Sequence, residues 1–203
     1  GANMFKAIFF DLDGTLLPMD VDIFLEKYLG LLSKYMSPYM EQKPFVEKLM
    51  GATFQMINDL RPDKKNKEVF IEAFFHDTDL DPEKMLAYFD IFYQKKFPTL
   101  AKYFPSDPRI PQIVEKAAAK SQIIVATNPV FPRIAIEERL RWAGVSAGDF
   151  NFITSYENMH YCKPQLEYYA EILDALKLSP KDCLMVGNDV EEDLIAKKLG
   201  IKT

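Results

Sequence analysis

Two aspartates, Asp11 and Asp13, stand two apart, directly after the apolar run Phe5–Phe10 and before Gly14-Thr15. Three more polar clusters follow short apolar runs. Thr127-Asn128 comes after Gln122–Ala126, and Lys163-Pro164 comes after Phe152–Thr154. Gly187-Asn188-Asp189-Val190-Glu191-Glu192-Asp193 comes after Cys183–Val186. The inventory is several carboxylates, one hydroxyl and one ammonium. Carboxylate oxygens suit a hard cation such as Mg²⁺, which also favours phosphate partners. A hydroxyl and an ammonium can hold a phosphoryl group. Taken singly, each cluster has a plain structural reading. Asp13-Gly14 is a turn signal, and Thr127-Asn128-Pro129 is a loop start. Lys163-Pro164 reads as a proline at the first position of a helix. Asp189, Glu191, Glu192 and Asp193 read as first-turn acids favoured by a helix dipole. Together, at four strand ends, they read as a site.

The apolar pattern says how such a site could be assembled. Phe5–Phe10 is short, aromatic and apolar, the mark of a buried strand. From Asp107 the chain alternates: helix 111–120, strand 122–126, helix 132–142, strand 152–154, helix 164–176, strand 183–186 and helix 190–199. Ile201-Lys202-Thr203 reads as the opening of a further strand. Alternating strand and helix predicts an α/β fold, a Rossmann-like three-layer core with a parallel sheet. In such a sheet the C-terminal strand ends share one edge, and ligands bind there. Asp20 to about Phe104 differs: Val21–Tyr35, Pro44–Asn58, Lys67–Phe75 and Pro82–Tyr93 carry apolar residues at three- and four-residue spacing. This predicts an inserted all-helical cap of about four helices, at 18–100, with the core at 1–17 and 101–203. Its aromatic and methionine residues, among them Phe54, Phe70, Phe74, Phe75, Phe89, Phe92, Met50 and Met56, are expected to form its own core. A minority would line a pocket facing the first segment.

The four motifs, in this order and spacing, resemble the haloacid dehalogenase superfamily in its phosphatase branch, and the insert resembles that family's helical cap. The resemblance implies roles. Asp11 would be the nucleophile, forming an aspartyl-phosphate. Asp13 would protonate the leaving oxygen and then deprotonate the attacking water. Thr127 and Asn128 would hold the phosphoryl group, with Lys163 balancing charge on it and on Asp11. Asp11, the backbone carbonyl of Asp13, and Asp189 would ligate Mg²⁺, supported by Asn188 and Asp193. Many relatives carry Gly-Asp where this chain has Gly187-Asn188. Asp189 is the expected ligand because a hard cation prefers a charged oxygen, with Asn188 the alternative. Asp13 separates branches: the dehalogenases lack an acid two residues after the nucleophile. The implied activity is Mg²⁺-dependent hydrolysis of a small phosphate monoester. A phosphosugar mutase on the same fold, or a silent binding module, stays open.

Composition narrows the partners. Of 203 residues, 25 are Lys or Arg and 30 are Asp or Glu, a net charge of −5 that argues against a nucleic-acid backbone as partner. The longest uncharged stretch, Ser121–Pro132, is too short to span a bilayer. No basic segment precedes the first apolar run, so no signal peptide is expected. Two cysteines, Cys162 and Cys183, exclude a disulfide framework and allow a reducing compartment, so a cytoplasmic location is expected. His160, Cys162 and Cys183 match no zinc spacing. His160 is expected near the site by its nearness to Lys163. Arg133 could meet substrate or cap local structure, and Trp142 is expected to pack at a helix end. Lys64, Lys65 and Lys67 read as a solvated loop.

Overall fold

The computed structural model describes residues 4–203. Four short parallel strands form one sheet: β1 (Ala7–Phe10), β2 (Gln122–Val125), β3 (Phe152–Ile153) and β4 (Cys183–Val186), in the order β3-β2-β1-β4. The chain runs outward from β1 through β2 to β3, then crosses back to β4 on the other side of β1. Phe10 pairs in register with both Val125 and Val186, so the three strands end level. A parallel bridge from Leu184 to Lys202 begins a fifth strand beside β4, as the C-terminal residues suggested.

Strand alternation divides the core into two layers of contacts. Ala7 and Phe9 of β1, with Ile124 and Met185, pack against Tyr168, Tyr169 and Ile172 of α7 (Leu166–Leu176). Phe10, Ile123 and Val125 face the other way, toward α5 (Arg109–Ala118) and α6 (Arg133–Trp142). Burial on both faces explains why the strands read as continuous apolar runs. Each buried aromatic or branched side chain contributes roughly 1.5–3 kcal/mol.

Between β1 and α5 lie four helices: α1 (Val21–Tyr35), α2 (Gln42–Asn58), α3 (Asn66–Phe75) and α4 (Pro82–Lys95). A 3₁₀ helix, Phe97–Tyr103, leads back toward α5. Asp20 caps α1 through Asp22 N and Ile23 N, and Asp81 caps α4, where Pro82 takes the first position. Tyr35 and Tyr88 tie α1 to α4: their rings stack at 4.1 Å, and each hydroxyl donates to the other's backbone carbonyl. One apolar cluster runs unbroken from Phe10 and Val125 through Phe24 and Phe92 to Phe104. Trp142 packs as expected, stacked on Phe97 and Phe104.

α3 is fastened to the rest of the chain at its first residue. Asn66 is fully buried, and its Nδ2 donates to the carbonyl of Pro129, the carbonyl of Tyr161 and the Sγ of Cys162. Asn66 N donates to Met159 O, and Lys67 N donates to Tyr156 O.

Two predicted helices start differently. The helix expected from Pro164 begins at Leu166, because the residues before it form a turn closed by Gln165 N donating to Cys162 O. The helix expected over 190–199 is a turn followed by a 3₁₀ helix, Leu194–Leu199. Asp189 Oδ1 takes the amides of Glu191 and Glu192, and Asp193 turns its carboxylate inward. That geometry closes a tight turn in place of a first α-helical turn. Among the described residues, no helix is long and apolar enough to cross a membrane.

Candidate active site

The register of the sheet sets the site. Asp11 N donates to Val186 O, and Ala126 N donates to Phe10 O, so Asp11 leaves β1 between Thr127 and Gly187. Thr127 is gripped by its backbone. Its N–H donates to Thr154 Oγ1, and its carbonyl accepts from Thr154 Oγ1 and the Tyr168 hydroxyl. Asn128 Oδ1 accepts from Lys163 N at 3.0 Å, which joins the second and third motifs.

Lys163 is 1% exposed, and its ammonium lies between two carboxylates, 3.1 Å from Asp11 and 2.5 Å from Asp193. Asp193 uses its other oxygen to accept from Asp189 N. Asp193 therefore links the fourth motif to Lys163 and, through it, to Asp11. Burial pushes the Asp11 carboxyl up to about 7; Lys163 opposes this, while Asp193 and Asp13 add to it. Burial alone would lower the Lys163 ammonium, but Asp11 and Asp193 outweigh it and the net shift is upward.

Asp13 has a partner that the sequence reading missed. Arg139, on α6, is fully buried, and its guanidinium holds both Asp13 oxygens, at 2.9 and 3.1 Å. It also lies over the Phe131 ring, 4.5 Å from the centroid. A signal was present: Arg139 is the lone charge on the stripe formed by Ala135, Ile136, Trp142 and Ala143. A charge at a core position needs a fixed partner.

These groups open onto a cavity of about 480 Å³. Its acidic end carries Asp11, Asp13, Thr127, Asn128, Asn188, Asp189 and Glu192. Asn188 leans on the first motif: Thr15 Oγ1 donates to its Oδ1 at 3.1 Å, and its amide lies against Gly14. Burial also raises the Glu192 carboxyl. The cavity's other walls are largely apolar and come mostly from the four-helix segment, with Val130, Phe131, Pro132 and Tyr156 from the loops after β2 and β3. Of the aromatic and methionine residues expected to form that segment's core, Phe74, Phe92 and Met56 are fully buried, while Met50, Phe70 and Phe89 line the cavity. Phe54 does neither, being 68% exposed.

The donor chemistry of the acidic end fits a hard divalent cation. Its candidate ligands are oxygens, with carboxylates in excess over Lys163 and Arg139, and a cation there would relieve the desolvated Asp11. Asp11, the Asp13 carbonyl and Asp189 could hold it. The side chains of Asp13 and Asp189 are turned to Arg139 and to the amides of Glu191 and Glu192. Among the described residues no three His, Cys, Asp or Glu side chains form a ligating group, for zinc or any other ion.

His160 does not face the cavity. Its ring and backbone N–H are taken by Glu171 of α7, and it is not among the residues lining the cavity. Arg133 is occupied locally, its guanidinium on Glu137 and its amide on Glu157.

Comparison with known proteins places the chain in a family. The sequence profile of the haloacid dehalogenase-like hydrolases matches residues 5–200. The pyrophosphatase PpaX of Bacillus velezensis is 23% identical over 200 residues, spanning 97% of this chain and 81% of that protein. A 2-haloacid dehalogenase from Pseudomonas syringae superposes with a TM-score of 0.61 at 21% identity, over 98% of this chain and 84% of that one. The HAD-hydrolase YfnB from Bacillus subtilis, bound to magnesium, gives 0.58 at 15% identity, over 98% and 86%. A HAD-family enzyme from Bacteroides thetaiotaomicron, in complex with magnesium and inorganic phosphate, gives 0.56 at 16% identity, over 98% and 92%. The structural likenesses speak for the fold. With the profile covering nearly every residue, the chain belongs to the haloacid dehalogenase-like hydrolases.

Proposed function

We propose that the chain is a Mg²⁺-dependent phosphatase that hydrolyses a small phosphate monoester. The observation that carries this reading is the contact of Asp11 with Lys163, beside Thr127, at the mouth of a cavity large enough for an organic ligand. An Asp11 oxygen attacks phosphorus and the bond to the ester oxygen breaks, leaving an aspartyl-phosphate. Asp13 delivers a proton to the departing alkoxide. It then takes one from the water that attacks phosphorus, and the bond to Asp11 breaks to give inorganic phosphate. Each Asp13 oxygen accepts one bond from Arg139 and keeps a second lone pair on which the proton is carried. Lys163 offsets the repulsion between Asp11 and the anionic ester, and the Thr127 hydroxyl steadies a phosphoryl oxygen. Mg²⁺, held by Asp11, the Asp13 carbonyl and Asp189, would supply charge stabilisation for the transferring phosphoryl group. Asn188 and Asp193 support those ligands.

The four helices at 18–100 serve as a cap that encloses the leaving group, over a core formed by 1–17 and 101–203. Both cysteines are free and buried, which supports a cytoplasmic setting.

The test is release of inorganic phosphate from a panel of monoesters, with Mg²⁺, with a chelator, and in Asp11→Asn. Release that needs Mg²⁺ and disappears in the variant is the expected result. Release that survives Asp11→Asn, or none from any ester, overturns the reading.

A further inference from the structure

The apolar wall of the cavity is built from Phe24, Tyr28, Phe89, Tyr93, Phe131 and Tyr156, with aliphatic side chains between them. Among the described residues that line it there is no Lys, Arg or His. The two nearest buried cations are already committed: Lys163 to Asp11 and Asp193, and Arg139 to Asp13. A second phosphate or a carboxylate on the ligand would thus lie among rings and beside Asp189 and Glu192, with no side-chain cation to meet it.

Among the described residues the wall carries few hydrogen-bonding side chains, Tyr28, Tyr93, Tyr156 and Thr53, and of their hydroxyls that of Tyr156 is the one with no partner in the protein. The Tyr28 and Tyr93 hydroxyls are bonded to each other at 2.6 Å. The Thr53 hydroxyl is spent on the Leu49 carbonyl at 2.8 Å. A polyol in this space would leave several hydroxyls unmatched, and an apolar pocket disfavours an added hydroxyl by about 100-fold.

Resting on the phosphatase reading, we propose that the substrate is the phosphate monoester of an uncharged, largely hydrocarbon alcohol. The phosphoryl group sits at Asp11 and the ring or branched chain fills the aromatic wall. Inorganic pyrophosphate and sugar phosphates are disfavoured, so this chain is expected to differ in substrate from the pyrophosphatase it resembles.

A matched pair of esters tests this, because cyclohexylmethyl phosphate is glucose 6-phosphate without its hydroxyls and ring oxygen. Both are primary alkyl esters, so leaving-group reactivity does not decide between them. With the full chain and Mg²⁺, kcat/KM for cyclohexylmethyl phosphate is expected to exceed that for glucose 6-phosphate and for pyrophosphate by about 100-fold. Leu29→Lys, which places an ammonium on the cavity wall, should shrink that ratio at least tenfold. A second measurement needs no turnover: cyclohexylmethanol, and not glucose, should raise the melting temperature of the wild-type protein. Turnover that prefers glucose 6-phosphate or pyrophosphate overturns the apolar-alcohol inference and leaves the phosphatase reading standing. Stabilisation by cyclohexylmethanol without turnover of any ester overturns the phosphatase reading and keeps the apolar ligand. Neither stabilisation nor turnover overturns both.

Discussion

Arg139 and Lys163 are both cations sealed in the interior, each against a carboxylate of the first motif, but they were not equally legible in the sequence. Lys163 stands beside a recognisable neighbour, Pro164, in the connection between β3 and α7, the place from which the third strand's loop reaches the sheet edge that carries Asp11. Arg139 lies in the middle of a helix, far along the chain from Asp13. Only its isolation on an apolar stripe marks it. Removing one partner of a buried ion pair costs about 3–5 kcal/mol, because the other charge is left in a poor solvent. Asp13 opens partly onto the cavity, so Arg139→Met should fall at the low end of that range, read as a lowered urea midpoint with an unchanged m-value. Arg139→Lys should regain part of the stability and little of the activity, since an ammonium cannot grip two oxygens in parallel. The cysteines give a prediction of the opposite kind. Burial pushes the Cys162 thiol far up and the Cys183 thiol up to about 11. Iodoacetamide at pH 8 should leave both untouched in the folded protein and modify both in urea, as counted by intact mass.

Among the elements, the strands and most helices were readable because each is buried on a consistent face. Val21–Tyr35 and Cys183–Val186 have the bounds their apolar spacing indicates. The segment 190–199 did not follow its helical spacing because local hydrogen bonds of Asp189 and the inward pull of Lys163 on Asp193 win there. Gly187 exists to make that turn possible. A Cβ at this position would stand 2.4 Å from Asp193 Oδ2 and 2.5 Å from its Cγ. Asp193 cannot retreat, being held by Lys163 and the Asp189 amide. Gly187→Ala should therefore cost about 1–3 kcal/mol in chemical denaturation, and should lower turnover as well by displacing Lys163 from Asp11.

At the scale of the whole molecule, the boundaries proposed near residues 18 and 101 rest on the change in sequence pattern, yet the apolar cluster crosses them without a break. One sequence carries the period of each segment but not the packing between segments, which is why the shared cluster was not foreseen. A shared core should unfold as a unit. Calorimetry should give a single transition, with an enthalpy near about 140 kcal/mol at roughly 0.7 kcal/mol per residue. Two resolved transitions would show that the helical segment holds together alone.

Asn66 carries a last consequence. By fastening the start of α3 to the loops after β2 and β3, it leaves the cavity's roof little disorder to lose when a ligand arrives. The free energy of association then comes mostly from water leaving the aromatic wall. Its thermodynamic signature is a negative heat-capacity change without the large entropic penalty of ordering a lid.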